Sequence, residues 1–314
     1  MSEAREFKYI GQSTIRPDGY DKVTGRAAYG ADLTLPGMIW GRILRSPHAH
    51  ANILSIDTTK AEAHPDVLAV ATYADFVELQ SKSVAASEGA ADVLDLARNC
   101  LADDKALYHG HAIAAIAART ERAAKDALSL IEVKYELLPP VMDVEDAMKD
   151  DAPVLHADMF TAGYEERPSK ASNIAVRTEM KMGDIDAGFA EADVIIEREF
   201  RTPTAHQGYI EPHACTVRYD EDGQSMIWCS TQGHFDVRTS TAKVLGMDLG
   251  KLKVIASEIG GGFGGKTVVY LEPVALVLSK QSGRQVKMVM ERDEVLIATG
   301  PTSDARPRAK TGAK

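Results

Sequence analysis

The run His111-Ala112-Ile113-Ala114-Ala115-Ile116-Ala117-Ala118 constrains the fold of this chain more than any other segment. It is unbroken, apolar and closed by Arg119-Thr120, the pattern of a buried strand. Thr120 can cap the helix that follows, in which Ala123, Ala127, Leu128 and Ile131 recur at helical spacing. Glu132-Val133-Lys134-Tyr135-Glu136 then alternates as a strand, which predicts a β-α-β unit. Pro139-Pro140 closes the unit, because consecutive prolines cannot continue a hydrogen-bonded ladder.

With 314 residues the chain has room for about two domains, and its 45% apolar content supplies their cores. Acidic residues outnumber basic ones by 46 to 36 and are scattered, which excludes the basic stripe that a nucleic-acid backbone requires. No segment approaches ~20 uninterrupted apolar residues, and the first residues lack the apolar core of a secretory signal, so a cytoplasmic protein is expected. Cys100, Cys215 and Cys229 are odd in number and far apart, so they read as buried free thiols. No histidine pair has helical metal-ligand spacing, and no protein-supplied metal site is expected.

Residues 1–20 are polar and carry the turn signal Arg16-Pro17-Asp18-Gly19, so they read as an N-terminal arm. Residues 21–142 form the first unit, with strands expected over 39–45, 51–57 and 67–72 and helices over 59–64 and 73–79. Residues 143–172 are loop-rich, with Pro153, Gly163 and Pro168, and read as a linker. In the second unit, 173–314, alternation predicts strands over 174–180 and 194–200 around a helix at 185–192. Strands are also expected at 213–219 and 225–229, joined by the turn Asp220-Glu221-Asp222-Gly223. A helix over 235–245, a strand over 252–256, a helix over 270–281 and a strand over 285–290 complete the reading. The last residues, 300–314, show no apolar face, as if the fold were unfinished at that point.

Between the last of these strands and helices lies Gly260-Gly261-Gly262-Phe263-Gly264-Gly265-Lys266-Thr267, which matches two patterns. As G-x-x-x-x-G-K-[ST] it is a P-loop, with Lys266 and Thr267 set for nucleotide phosphates and Mg²⁺. That reading also needs a carboxylate at the end of another apolar strand, and residues 268–314 offer only Glu291 and Asp293 after a short, charge-interrupted run. Five glycines among positions 260–266 exceed what a tight turn requires, and such density exposes backbone amides to phosphate or metal-bound oxygen. Phe263 among them is expected to plug a core or to shield a reactive centre. Lys266, at a loop end, reads as a surface charge. Glu272, Glu291 and Glu294 read as solvated.

Read as GGGFGGK, the loop joins a set of segments in a recognisable order. These are residues 21–32 (DKVTGRAAYGAD), Arg45-Ser46-Pro47-His48-Ala49-His50, Glu136-Leu137-Leu138-Pro139-Pro140-Val141, Glu211-Pro212-His213-Ala214-Cys215-Thr216 and Ser230-Thr231-Gln232. Together they resemble the molybdenum-binding large subunits of the xanthine dehydrogenase family, over nearly the whole chain. The resemblance implies an α+β fold, in which a hammerhead-like α/β domain is followed by the first part of a molybdopterin-binding α+β domain.

It also implies a molybdenum–molybdopterin cofactor, as the cytosine dinucleotide in bacteria, whose metal ligands come from the pterin. Electrons then leave through a small [2Fe–2S] subunit and an FAD subunit. By position Gln232 matches the glutamine whose amide N–H₂ faces the metal's oxo ligand, although alone it would be a polar loop residue. Gly261, Gly262, Phe263, Gly264 and Gly265 match the loop beside the metal. The implied reaction hydroxylates a carbon with oxygen from water, and the family's catalytic glutamate falls beyond residue 314. Thr267 departs from the purine-oxidising relatives, which carry glutamate there, so Thr267 marks a substrate pocket for aldehydes, N-heteroaromatics, carbon monoxide or aromatic coenzyme A esters. A missing base fits a fragment, or half of a subunit split between two molybdopterin-binding chains, including a non-catalytic scaffold half.

Overall fold

All seven residues of the strand Ala112–Ala118 are buried, as its apolar run requires. The computed structural model describes residues 7–76, 83–86 and 89–314. Helix α1 (Gly19–Thr24) precedes strands β1 (Ile39–Arg45) and β2 (Ala51–Asp57), helix α2 (Thr59–Glu62) and strand β3 (Val67–Ala71). A hairpin of β4 (Ser83–Ala86) and β5 (Gly89–Asp92) leads to helix α3 (Val93–Cys100), strand β6 (Lys105–Ala106), strand β7 (Ala112–Ala118), helix α4 (Glu121–Leu128) and strand β8 (Glu132–Leu137). Helices α5 (Val144–Ala147) and α6 (Ile185–Glu191) are followed by strands β9 (Val194–Glu199), β10 (Ala214–Arg218) and β11 (Ser225–Cys229). Helix α7 (His234–Val244), strand β12 (Leu252–Ala256), helix α8 (Glu272–Ser282), strand β13 (Val286–Val289), helix α9 (Arg292–Ala298) and strand β14 (Arg308–Ala313) complete the order.

Seven strands form one sheet in the order β12-β11-β10-β13-β1-β7-β3. It draws on strands from both sides of residues 143–172, so that segment separates stretches of chain and not separate sheets. Helix α8 lies across it, with every residue from Glu272 to Ser279 buried. Helix α4 forms because Thr120 accepts the N–H of Ala123 at 3.1 Å, and it turns Ala123, Ala124 and Ala127 onto Ala114, Ile116 and Ala118. Small side chains on both surfaces let helix and sheet approach closely, and each buried isoleucine there adds about 1.5–3 kcal/mol.

The strand-helix-strand order at 112–137 is present, but it does not make the expected β-α-β unit. Strand β7 already pairs antiparallel with β1 on one edge and β3 on the other, so neither edge is free for β8. Instead β8 pairs with β2 in a three-stranded sheet, where Val133 and Tyr135 face the core and its charged positions face water. That one-sided burial is what its alternation encodes.

Other departures have similar causes. Residues 174–180 alternate yet form only a bridge from Val176 to Ala162, with Val176 and Met180 exposed. Alternation makes a strand only where an edge is offered. The tail makes the opposite point: β14 pairs with β9 over six positions although its side chains are all exposed, because the ladder is built from backbone groups. Of the helix expected at 73–79, Tyr73–Asp75 forms a single 3₁₀ turn, and residues 77–79 lie outside the described residues. Of the N-terminal arm, residues 1–6 also lie outside them.

Candidate cofactor site

Strands β11 and β12 run parallel, with Cys229 beside Ala256 at their ends. The segments that leave those ends therefore emerge side by side, the usual place for a ligand in a parallel arrangement. One carries Ser230-Thr231-Gln232 and the other the glycine loop. They are joined in both directions: the Gln232 N–H donates to the Lys266 carbonyl at 3.0 Å, and Gln232 Oε1 accepts the N–H groups of Gly264 at 3.0 Å and Lys266 at 3.2 Å. Thr231 Oγ1 also donates to the Lys266 carbonyl, at 3.2 Å. With its oxygen accepting two amides, the Gln232 side chain is oriented, and its Nε2 donors make no hydrogen bond among the described residues.

The glycines are required by contact. A Cβ at Gly262 would lie 2.5 Å from Gln232 Oε1, and one at Gly265 would lie 2.7 Å from Tyr209 Cε1. Phe263 takes the left-handed φ of 49° and is 73% exposed, so it is not the core plug that a lone aromatic suggests. Among the described residues nothing accepts the N–H groups of Gly261, Gly262 and Phe263. The loop thus presents three consecutive backbone donors beside the free amide of Gln232.

Lys266 is not a surface charge. Its side chain is fully buried, and Nζ lies 2.7 Å from Glu211 Oε2 and over the Tyr209 ring. Burial pulls the ammonium below its ordinary pKa, and the Glu211 carboxylate opposes that pull. Glu211 was not singled out by spacing alone; the E-x-x-x-C segment holding it was the available signal. Glu272 is likewise buried, not solvated, at the start of α8, where it accepts the Tyr270 N–H at 3.2 Å and burial raises its pKa. Glu291 pairs with Lys125 and Arg42, and Glu294 with Arg45 and Arg42.

These contacts remove the P-loop reading. The Lys266 ammonium is held by Glu211, and Thr267 Oγ1 donates to the Gly264 carbonyl at 2.9 Å. Helix α8 begins only at Glu272, so no helix N-terminus follows the loop directly.

The remaining donors suit a ligand rich in acceptor oxygens. Gln207 adds an acceptor: its Oε1 is buried without a partner and lies 3.2 Å from where a Gly265 Cβ would stand. A buried, unpaired amide oxygen beside a glycine cradle is the kind of group that a bound heterocycle with N–H donors would satisfy. Oxygen ligands and a pterin's ring amides together fit this set.

Comparison with known proteins bears on the same point. Residues 166–314 match the family described as "Molybdopterin cofactor-binding domain", and residues 24–139 match "Aldehyde oxidase and xanthine dehydrogenase, a/b hammerhead domain". The "Nicotinate dehydrogenase large molybdopterin subunit" of Eubacterium barkeri is 30% identical over 98% of this chain and 68% of its own length. The chain belongs to the molybdopterin-binding large subunits of the xanthine dehydrogenase family. The "Xanthine dehydrogenase molybdenum-binding subunit" of Escherichia coli O157:H7 is 31% identical over 91% of this chain, which spans 36% of that relative's length. The solved CO dehydrogenase from Oligotropha carboxidovorans superposes with a TM-score of 0.80 at 33% identity, over 97% of this chain and 38% of that one. In family terms the fold is a hammerhead domain plus a molybdopterin-binding domain, both mixed α and β. Among the described residues no helix is long and apolar enough to cross a membrane.

Proposed function

We propose that this chain forms one wall of the cofactor pocket of a molybdenum hydroxylase. The observation that carries the reading is the Gln232 amide, whose oxygen is taken by Gly264 and Lys266 while its N–H₂ remains free beside three free loop amides. Gln232 would donate to an oxygen ligand of the metal. Gly261, Gly262 and Phe263 would hold further oxygens through their N–H groups, and Gly264 and Gly265 would complete the cradle. Phe263, exposed here, would cover the bound group and limit water's access to it. When bound, molybdopterin supplies the oxidation of a substrate carbon with oxygen drawn from water.

The cytosine dinucleotide form, a [2Fe–2S] subunit and an FAD subunit complete the proposal. No residue of this chain is assigned as the catalytic base: Glu272 is buried at a helix start, and Glu291 and Glu294 are held in ion pairs. A second molybdopterin-binding chain belongs to the same proposal as a further partner. Relatives carry names as different as xanthine, nicotinate and carbon monoxide dehydrogenases, so similarity alone does not select a substrate. Thr267, whose hydroxyl donates inside the loop, offers no carboxylate to a purine, which favours an aldehyde or an N-heteroaromatic.

Metal and nucleotide analysis of the purified native assembly tests this. Molybdenum, releasable CMP and the absorption of iron–sulfur and flavin groups are expected together. Stoichiometric Mg²⁺-dependent ATP binding without molybdenum would overturn the reading.

A further inference from the structure

One buried carboxylate touches both ends of the glycine loop. Glu211 Oε2 accepts the Gly260 N–H at 2.7 Å and the Lys266 ammonium at 2.7 Å, so residues 260 and 266 are drawn to a single point. Its other oxygen accepts the Gly30 N–H at 3.3 Å. Gly30 belongs to a segment already fastened nearby: the Glu258 N–H donates to the Ala28 carbonyl at 3.0 Å, and Lys22 pairs with the Glu258 carboxylate. A Cβ at Gly30 would stand 3.1 Å from both Ala214 Cβ and the Ser230 nitrogen, so this segment is pressed against the start of β10 and the segment that leaves β11 toward Gln232.

Lys266 passes this anchorage on. Its ammonium is held by Glu211, while its backbone N–H and carbonyl both bond to Gln232. We propose that Glu211 is a positioning residue: acting through Lys266, it closes residues 260–266 into a ring and holds the Gln232 amide in place before any ligand binds. The purpose of that arrangement rests on the cofactor reading above. The clamp itself does not, because every bond in it is made by the chain alone. The competing account is an ion pair that merely supports the fold.

Residue-resolved hydrogen exchange on the chain without cofactor separates the two. Glu211→Gln and Lys266→Met are each expected to speed exchange at the Gly264 and Lys266 amides about 10-fold or more, with the β10 and β11 amides within about 3-fold of wild type. Gly264 and Lys266 donate to Gln232 and not to Glu211, so a change there reports transmission. The double variant E211Q/K266M leaves no buried charge and is expected to be no looser than either single one. Unchanged Gly264 and Lys266 amides, or equal loss throughout the sheet, would overturn the proposal. If a single variant does not fold, the double variant carries the same comparison, and its failure to fold would likewise identify the pair as a support of the fold. Because exchange is read without cofactor, a molybdenum result against the proposed function leaves this outcome independent.

Discussion

The amide oxygen of Gln232 accepts the Gly264 N–H at 3.0 Å, so the residue proposed to face the cofactor is oriented by the loop proposed to hold it. Glutamate at 232 keeps an acceptor for both loop amides and loses the two donors. Gln232→Glu is therefore expected to shift the urea midpoint little while molybdenum content falls to background. Gln232→Leu strands the Gly264 and Lys266 amides and should cost about 1–3 kcal/mol in the same melt.

Gly262→Ala places a methyl 2.5 Å from Gln232 Oε1, where something must move. A loss of about 1–3 kcal/mol is expected, with molybdenum content reduced. Gly188, inside α6 with nothing within 4 Å of an added Cβ, is the control. Gly188→Ala should raise stability by up to about 1 kcal/mol, since alanine is the better helix former. Chemical denaturation of both variants checks the contrast.

The unpaired Gln207 Oε1 predicts an unusual sign. Leucine of similar size removes a buried acceptor that nothing satisfies, so Gln207→Leu should stabilise the cofactor-free chain by roughly 1 kcal/mol while weakening cofactor retention. Destabilisation of the free chain would show that the amide has a structural partner.

Stability should fall as acid is added, because two buried histidines lose their contribution, while the buried carboxyl of Glu272, whose pKa burial raises, works the other way. Burial holds His111 down to about 4, and burial with the nearby Lys266 charge holds His213 down to about 3, against 6.5 for a free imidazole. His111 is fixed as neutral, accepting the Leu107 N–H at Nδ1 and facing the Arg98 carbonyl through Nε2. Below pH 6.5 the unfolded chain binds protons that these two groups refuse in the fold. Their contribution is complete above 6.5 and is lost downward to about 4 and 3, at roughly 1.4 kcal/mol per pH unit for each group. Urea midpoints at pH 7 and pH 5 measure it, and equal midpoints would refute the assignment.

Much of the site was legible in the chain because its chemistry is local. Five glycines in seven positions announce exposed amides, and Gln232 is marked by its place in a family pattern. Glu211 and Tyr209 were not legible in that way: they meet the loop across 50 residues or so of intervening chain, and a lone glutamate before a proline carries no periodic signal. Lys266 misled for the same reason, since a lysine ending a polar loop is ordinarily solvated, and only a buried carboxylate opposite it makes burial tolerable.

By itself the sequence determined the elements that local pattern controls: the buried run at 112–118, the Thr120-capped helix, the glycine loop and the family to which their order belongs. The tertiary structure decided which edges those strands could occupy. It sent β8 to a second sheet because both edges of β7 were filled, and it recruited an apolar-poor tail as β14 through backbone bonds. It also removed one of the loop's two readings. A P-loop and a pterin loop share their letters, but a lysine whose charge is neutralised by Glu211 cannot also be the lysine that receives a phosphate.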